Sequence, residues 1–199
     1  MEQMNRVQPE KILVMKYGGS SVGTVTAMRS AIRIIARTKK EHQNLVVVTS
    51  AISGATNDLI QSAKDAARGN LSTAEKTAKE LTVRHHEMID KLVTDPNEWL
   101  QLKMEINQLI TNFTNLCQAI KIIGELSPRA LDAVSSLGER LSVRVLAAGV
   151  KAEGIPAKAI DATQLIITDN RFQNAAPDMV RTADASQNVL FPHLNNGTV

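Results

Sequence analysis

The feature that most restricts the fold of this chain lies near its start. Residues 11–17 (KILVMKY) form a short apolar run that passes straight into Gly18-Gly19-Ser20-Ser21-Val22-Gly23. A run of this length closed by glycine and serine reads as a buried strand ending in a tight turn. Ala27, Ala31, Ile34 and Ile35 then recur at helical spacing, which predicts a helix that starts at 24–26 and ends near Lys40. A second apolar run, LVVVT at 45–49, predicts a second buried strand. Strand, helix, strand in this order is the βαβ unit, whose parallel strands need a crossover helix on a face of the sheet. The expected architecture is therefore α/β, a three-layer α/β/α sandwich with a mainly parallel sheet.

The middle of the chain is helical. Residues 57–68 read as one helix, and 72–94 and 98–124 as two long ones, split by Asp95-Pro96-Asn97. The second long pattern carries Leu102, Ile106, Leu109, Ile110, Phe113, Leu116 and Ile120 in a rhythm of three and four, the mark of one buried face. Residues 70–126 are read as a helical hairpin inserted into the α/β domain. Ser127 and Pro128 suit the N-cap and first position of a further helix to Ala152, which Gly154-Ile155-Pro156 ends. Residues 157–161 and 165–168 read as strands, and 184–195 as a helix that Pro192 disturbs.

Composition narrows the function. A chain of 199 residues with 43% hydrophobic residues can bury a core. Twenty-three basic residues stand against 20 acidic ones, and three Phe, one Tyr and one Trp offer little to stack on bases, so nucleic acid is not an expected partner. No apolar run reaches the roughly 20 residues of a membrane span. Residues 1–10 carry Glu2 and Glu10 and no apolar signal core, so they read as a polar leader to a domain at 11–199 in the cytoplasm. A single cysteine excludes a disulfide scaffold and a Cys-based zinc site. Cys117 lies in an apolar helix stripe and reads as core. His85-His86-Glu87 are adjacent, so their side chains diverge around a helix; they read as a solvated face, and no metal site is expected.

Three loops carry candidate chemistry. In the first, KYGGSSVG (16–23), glycines let the backbone approach a ligand, and the free N–H groups of the next helix favour a phosphate. Lys16, at the strand's carboxyl end, is placed to neutralise charge on a phosphoryl group in transfer. The spacing is neither that of a P-loop nor of a dinucleotide fingerprint, and a plain turn beside a solvated lysine is the competing reading. The second, SAISGATN (50–57), also follows a strand, so parallel pairing brings both loops to one sheet edge, where α/β folds bind ligands. Ser50 and Thr56 offer hydroxyls to a small polar substrate; alternatively Thr56 or Asn57 merely caps the next helix. The third is SSLGER (135–140), where Glu139 suits a cationic ligand group or, alternatively, simply a helix surface beside Arg140.

Taken in order, the three motifs resemble those of the aspartate kinases of the amino-acid kinase family. KYGGSSVG is similar to that family's opening Lys-Phe/Tyr-Gly-Gly-Thr/Ser-Ser-Val signature, SAISGATN to its second loop, and SSLGER to its Ser-x-Gly-Glu helix. The resemblance runs from Lys11 across essentially the whole chain. It implies transfer of the ATP γ-phosphoryl group, with Mg2+, to the side-chain carboxylate of L-aspartate. It also implies Lys16 as the charge-stabilising lysine, Gly18, Gly19, Ser20 and Ser21 along the phosphate path, and Ser50, Thr56 and Glu139 around aspartate. Ser20 stands where threonine is common, and the hydroxyl is kept. Family members are much longer, with a later half that supplies most of the nucleotide site. The chain therefore reads as the N-terminal, amino-acid-binding part of such a kinase domain, inactive alone. Its open sheet edge favours self-association, so a homo-oligomer, a dimer, is expected. Another member of the family acting on a different acid, or a catalytically silent metabolite-binding or partner subunit, are the competing functions.

Overall fold

The computed structural model describes residues 11–199; the polar leader at 1–10 lies outside the described residues. Strands β1 (Ile12–Tyr17) and β2 (Asn44–Thr49) pair in parallel, with Ile12 opposite Asn44 and Tyr17 opposite Thr49. Between them run the short helix α1 (Gly19–Val22) and the crossover helix α2 (Val25–Glu41). The Thr24 hydroxyl caps α2 by accepting from the Ala27 N–H at 3.1 Å, and Lys39 and Lys40 in its last turn suit the negative end of the helix dipole. The buried stripe of α2 is Met28, Ala31, Ile32 and Ile35. Ile34 is 51% exposed, a correction to the sequence reading, because it stands about 100° around the helix from Ile35.

Five helices follow and pack on one another as a layer, in which α7 packs on β2: α3 (Ala55–Ala67), α4 (Ser72–Leu92), α5 (Pro96–Ile123), α6 (Pro128–Ser135) and α7 (Leu137–Ala152). Asp95 caps α5 by accepting from the Glu98 N–H at 2.8 Å, and Pro96 opens it without losing a hydrogen bond. Leu102, Ile106, Leu109, Ile110, Phe113, Cys117 and Ile120 bury one face of α5, which packs on α3, α4 and α7. Ser127 caps α6 as its sequence suggests, accepting from the Ala130 N–H at 3.2 Å.

Several sequence expectations are corrected. The strands are not buried on both faces. Leu13, Met15, Tyr17, Leu45 and Val47 pack with the core, whereas Ile12, Val14 and Val48 are exposed, because the helix layer covers one face of the pleat. The helix expected over 128–152 is interrupted at Ser136, where the hydroxyls of Ser135 and Ser136 donate back to the carbonyls of Asp132 and Ala133 and compete with the helix. Residues 157–161 form no strand. Among the described residues their one backbone bond to a distant segment is Lys158 N–H to Val199 O, beside Val199 N–H to Pro156 O, and a strand requires a continuous partner. Residues 165–168 contribute a single bridge, Thr168 with Pro177, after a 3-10 turn at Ala162–Gln164. The terminal helix starts earlier than expected, at α8 (Met179–Val189) capped by Asp178, and Pro192 falls in the first turn of a separate α9 (Phe191–Asn195).

Candidate functional site

The first two loops leave the carboxyl ends of neighbouring parallel strands, so both lie on one edge of the sheet. Ser50 continues the pairing past β2, its N–H donating to the Tyr17 carbonyl at 3.1 Å. Gly18 then caps α1 with no side chain contributing, and the Ser21 N–H donates to the Gly18 carbonyl at 2.9 Å. Lys16 is exposed, and its Nζ lies 3.6 Å from where a side chain on Gly18 would begin. Ser20 and Ser21 are exposed beside it. The two loops touch. A β-carbon on Gly19 would fall 2.7 Å from the Ala51 carbonyl oxygen, inside any tolerable contact, so only glycine lets the loops close this far.

The third motif joins at the same residue. A β-carbon on Gly138, in the first turn of α7, would stand 2.7 Å from the Ala51 methyl and 3.7 Å from the Thr56 hydroxyl. Glu139, half-buried, accepts the Ala51 N–H on its Oε1 at 3.2 Å. Ala51 is thus the hub: its carbonyl meets the first loop, and its N–H and methyl meet the Gly-Glu pair of the third. Lys16, Gly18, Gly19, Ser20, Ser21, Ser50, Thr56 and Glu139 therefore lie in three segments that share one rim. Among the described residues no group of three or more His, Cys, Asp or Glu is arranged to hold a metal ion.

Neither Thr56 nor Asn57 caps the next helix. The N-cap of α3 is Gly54, whose φ of 86° lets the chain turn sharply enough for Ala55 to start the helix. The Thr56 hydroxyl is free of capping duty and sits near Gly138. The solvated face expected at residues 85–87 holds for exposed Glu87 but is corrected at His85. His85 is fully buried in α4, its Nδ1 donates to the Leu81 carbonyl at 2.7 Å, and Nε2 has no partner among the described residues. Burial pulls its pKa down to about 4, so it is neutral at ordinary pH.

Two features escaped the sequence. Arg84, on α4, donates through Nη2 to the Ser53 carbonyl at 3.0 Å and to the Gly23 carbonyl at 3.4 Å, so a helix of the hairpin grips both loops. No sequence signal marks it, because an arginine bonded to distant carbonyls has no local pattern. The other is Arg140, whose Nε lies 2.6 Å from Asp161 Oδ2. Burial pushes the Asp161 carboxyl up, but hydrogen bonds from Thr163 and the Arg140 guanidinium hold it below the usual carboxylate range. Arg140 is therefore occupied one residue from Glu139, which leaves the glutamate without an ion-pair partner among the described residues.

A parallel βαβ start with Gly/Ser-rich loops at the carboxyl ends of the strands places the molecule among the α/β proteins, whose ligands sit at that edge of the sheet. The chain belongs to the amino acid kinase family, whose model matches residues 11–195. It is 29% identical over 190 residues to the lysine-sensitive aspartokinase 3 of Escherichia coli, covering 95% of this chain and 39% of that protein. It is 30% identical over 164 residues to the chloroplastic aspartokinase 1 of Arabidopsis thaliana, covering 81% of this chain and 27% of that protein. The structure matches E. coli aspartokinase III in complex with aspartate and ADP with a TM-score of 0.81 at 27% identity, over 95% of this chain and 40% of that one. The same enzyme in complex with lysine and aspartate gives 0.78 at 28% identity, over 94% and 40%. The chain thus spans about two fifths of the length of the E. coli relative. Among the described residues no helix is long and apolar enough to cross a membrane.

Proposed function

We propose that this chain forms the aspartate-binding, phosphoryl-facing part of an aspartokinase, acting in the first step of lysine, threonine and methionine biosynthesis in the cytoplasm. A side-chain carboxylate oxygen of L-aspartate attacks the γ-phosphorus of ATP, the bond to the β-bridging oxygen breaks, and ADP leaves with 4-phospho-L-aspartate as the other product. Lys16 offsets charge on the transferring group. The backbone at Gly18 and Gly19 and the hydroxyls of Ser20 and Ser21 line the phosphate path. Ser50 and Thr56 address the substrate carboxylates, and Glu139 pairs with its ammonium, a charge-assisted contact. Magnesium fits as an ion carried by the nucleotide, since it is commonly held by one or two carboxylates plus phosphates rather than by a protein cage.

The observation that supports this reading is the meeting of all three motif segments on Ala51, which puts a free ammonium, a row of hydroxyls and a carboxylate around one rim. The reading assigns residues 11–199 to the N-terminal part of a kinase domain, with the hairpin of 70–126 inserted in it. It assigns the remaining nucleotide contacts to sequence equivalent to the rest of its relatives, and a dimer to the assembled protein. The test is calorimetric titration of the 199-residue chain with L-aspartate, together with coupled ADP release. Aspartate is expected to bind, and the chain alone to release no ADP, because phosphoryl transfer depends on positioned metal-bound phosphates. Absence of aspartate binding, or tighter binding of another acid, would refute the substrate assignment. Steady aspartate-dependent turnover by this chain would refute the division of the nucleotide site.

A further inference from the structure

The helical hairpin reaches the first two loops of the candidate site through the Arg84 side chain. Arg84 lies past the middle of the 21-residue helix α4, and its guanidinium makes no ion pair among the described residues. Its Nη2 is spent on two backbone carbonyls instead, those of Ser53 and Gly23, one from each of the first two loops. Loop carbonyls facing a helix layer have no ladder to satisfy them, and a guanidinium meets them with charge-assisted donors. The two loops are pressed together at the same place: a β-carbon on Gly23 would lie 2.9 Å from the Ser53 hydroxyl oxygen, and one on Gly19 would lie 2.7 Å from the Ala51 carbonyl. The bridge therefore spans loops already at contact distance.

A second arginine steadies the lever. Arg29 on α2 donates through Nη2 to the Lys91 carbonyl at 2.9 Å, tying the end of α4 to the crossover helix. Each arginine joins α4 to the βαβ unit, one at the loops and one at the helix that follows them. Packing of α4 on α3, α5 and α7 fixes the rest of its length. The guanidinium of Arg84 is thus carried on a packed helix and aimed at two loops, the arrangement that holds loop-borne groups in place.

We infer that Arg84 is a positioning residue of the candidate site. It locks the loop of Lys16 and Gly18–Ser21 to the loop of Ser50–Thr56 and so sets the gap across which the phosphoryl group and the acceptor carboxylate would face each other. The role rests on the aspartokinase reading for its consequence, but not for the lock itself. The hairpin is, on this account, a working part of the site and not only a packing element.

The test uses the 199-residue chain and the variants Arg84→Met, which keeps the aliphatic stem, and Arg84→Lys, which keeps a cation able to reach one carbonyl. Amide exchange is followed by NMR at Ser21, Ala51 and Ala55, whose N–H groups are bonded to Gly18, Glu139 and Ile52. In Arg84→Met these three are expected to exchange about tenfold faster while amides inside α5 do not change, with Arg84→Lys in between. Calorimetric affinity for L-aspartate is expected to fall roughly tenfold in Arg84→Met, since loop groups displaced by a fraction of an ångström lose their geometry. Unchanged exchange at the three amides overturns the lock. Faster exchange throughout the chain overturns it as well, since that shows a general stabilising role. A lock confirmed by exchange, with aspartate affinity equal to that of a binding wild-type chain, overturns the positioning role. Failure of the wild-type chain to bind aspartate refutes the substrate reading alone, and the exchange result still decides the lock.

Discussion

Replacing Gly138 by alanine sets two effects of known size against each other. Glycine inside a helix is less favourable than alanine by about 1 kcal/mol, so helix propensity alone predicts stabilisation. The added methyl would stand 2.7 Å from the Ala51 β-carbon and 3.6 Å from a Leu59 methyl, with Ala51 and Leu59 both buried. Relief requires moving α7 or the 50–57 loop by most of an ångström. Ala51 cannot retreat freely, because its carbonyl already touches the first loop and its N–H is bonded to Glu139. Overpacking of this kind costs about 1–3 kcal/mol, so after the propensity gain the net loss is about 1 kcal/mol. For a chain of this size that lowers Tm by about 2–4 °C. Urea denaturation of Gly138→Ala, Ala51→Gly and the double variant measures the clash directly, because Ala51→Gly removes the atom that the new methyl meets. The coupling in the cycle is expected to exceed about 1 kcal/mol, well above the 0.5 kcal/mol scatter of independent sites. A rise in stability for Gly138→Ala alone, or a coupling within that scatter, would refute the packing argument.

Three further outcomes test the site and the core. Lys16→Ala in an enzyme containing this chain and the remainder of its kinase domain is expected to lower kcat by orders of magnitude with an unchanged circular dichroism spectrum; a near-normal kcat would remove Lys16 from the chemistry. Glu139→Gln keeps the shape and an oxygen for the Ala51 N–H but loses the charge, so aspartate binding is expected to weaken by about 1.5–3 kcal/mol while ATP binding changes little; equal effects on both substrates would contradict the assignment. For His85, the folded pKa of about 4 lies below the unfolded value of 6.5, so its contribution to stability is present above pH 6.5 and is lost as pH falls toward 4. Chemical denaturation across that window is expected to show a loss of up to about 3 kcal/mol that His85→Gln flattens. An equally steep loss in the variant would place the acid sensitivity elsewhere.

How much of this was legible in the sequence depends on the range over which each signal acts. The βαβ start, the cap at Ser127, the break between the two long helices at Asp95-Pro96 and the buried stripe of α5 all follow from neighbouring residues, because strand patterns, capping and helical periodicity are settled within a few positions. The three motif segments were legible for the same reason, as was the arrival of the first two on one edge once the strands are parallel; that Gly138 and Glu139 join them at Ala51 was not. Other elements needed partners from far along the chain. Residues 157–161 look like a strand but find no continuous partner among the described residues, and His85 looks like surface but is enclosed by packing of α4. The 2.7 Å limits at Gly19 and Gly138, and the grip of Arg84 on Ser53 and Gly23, exist only when loops separated by dozens of residues are pressed together. The sequence by itself determined which segments are candidates for the chemistry and that the first two stand at one edge of the sheet. Tertiary structure decided how closely they approach and which side chain holds them there, since contact distances depend on the packing of whole helices and leave no local trace.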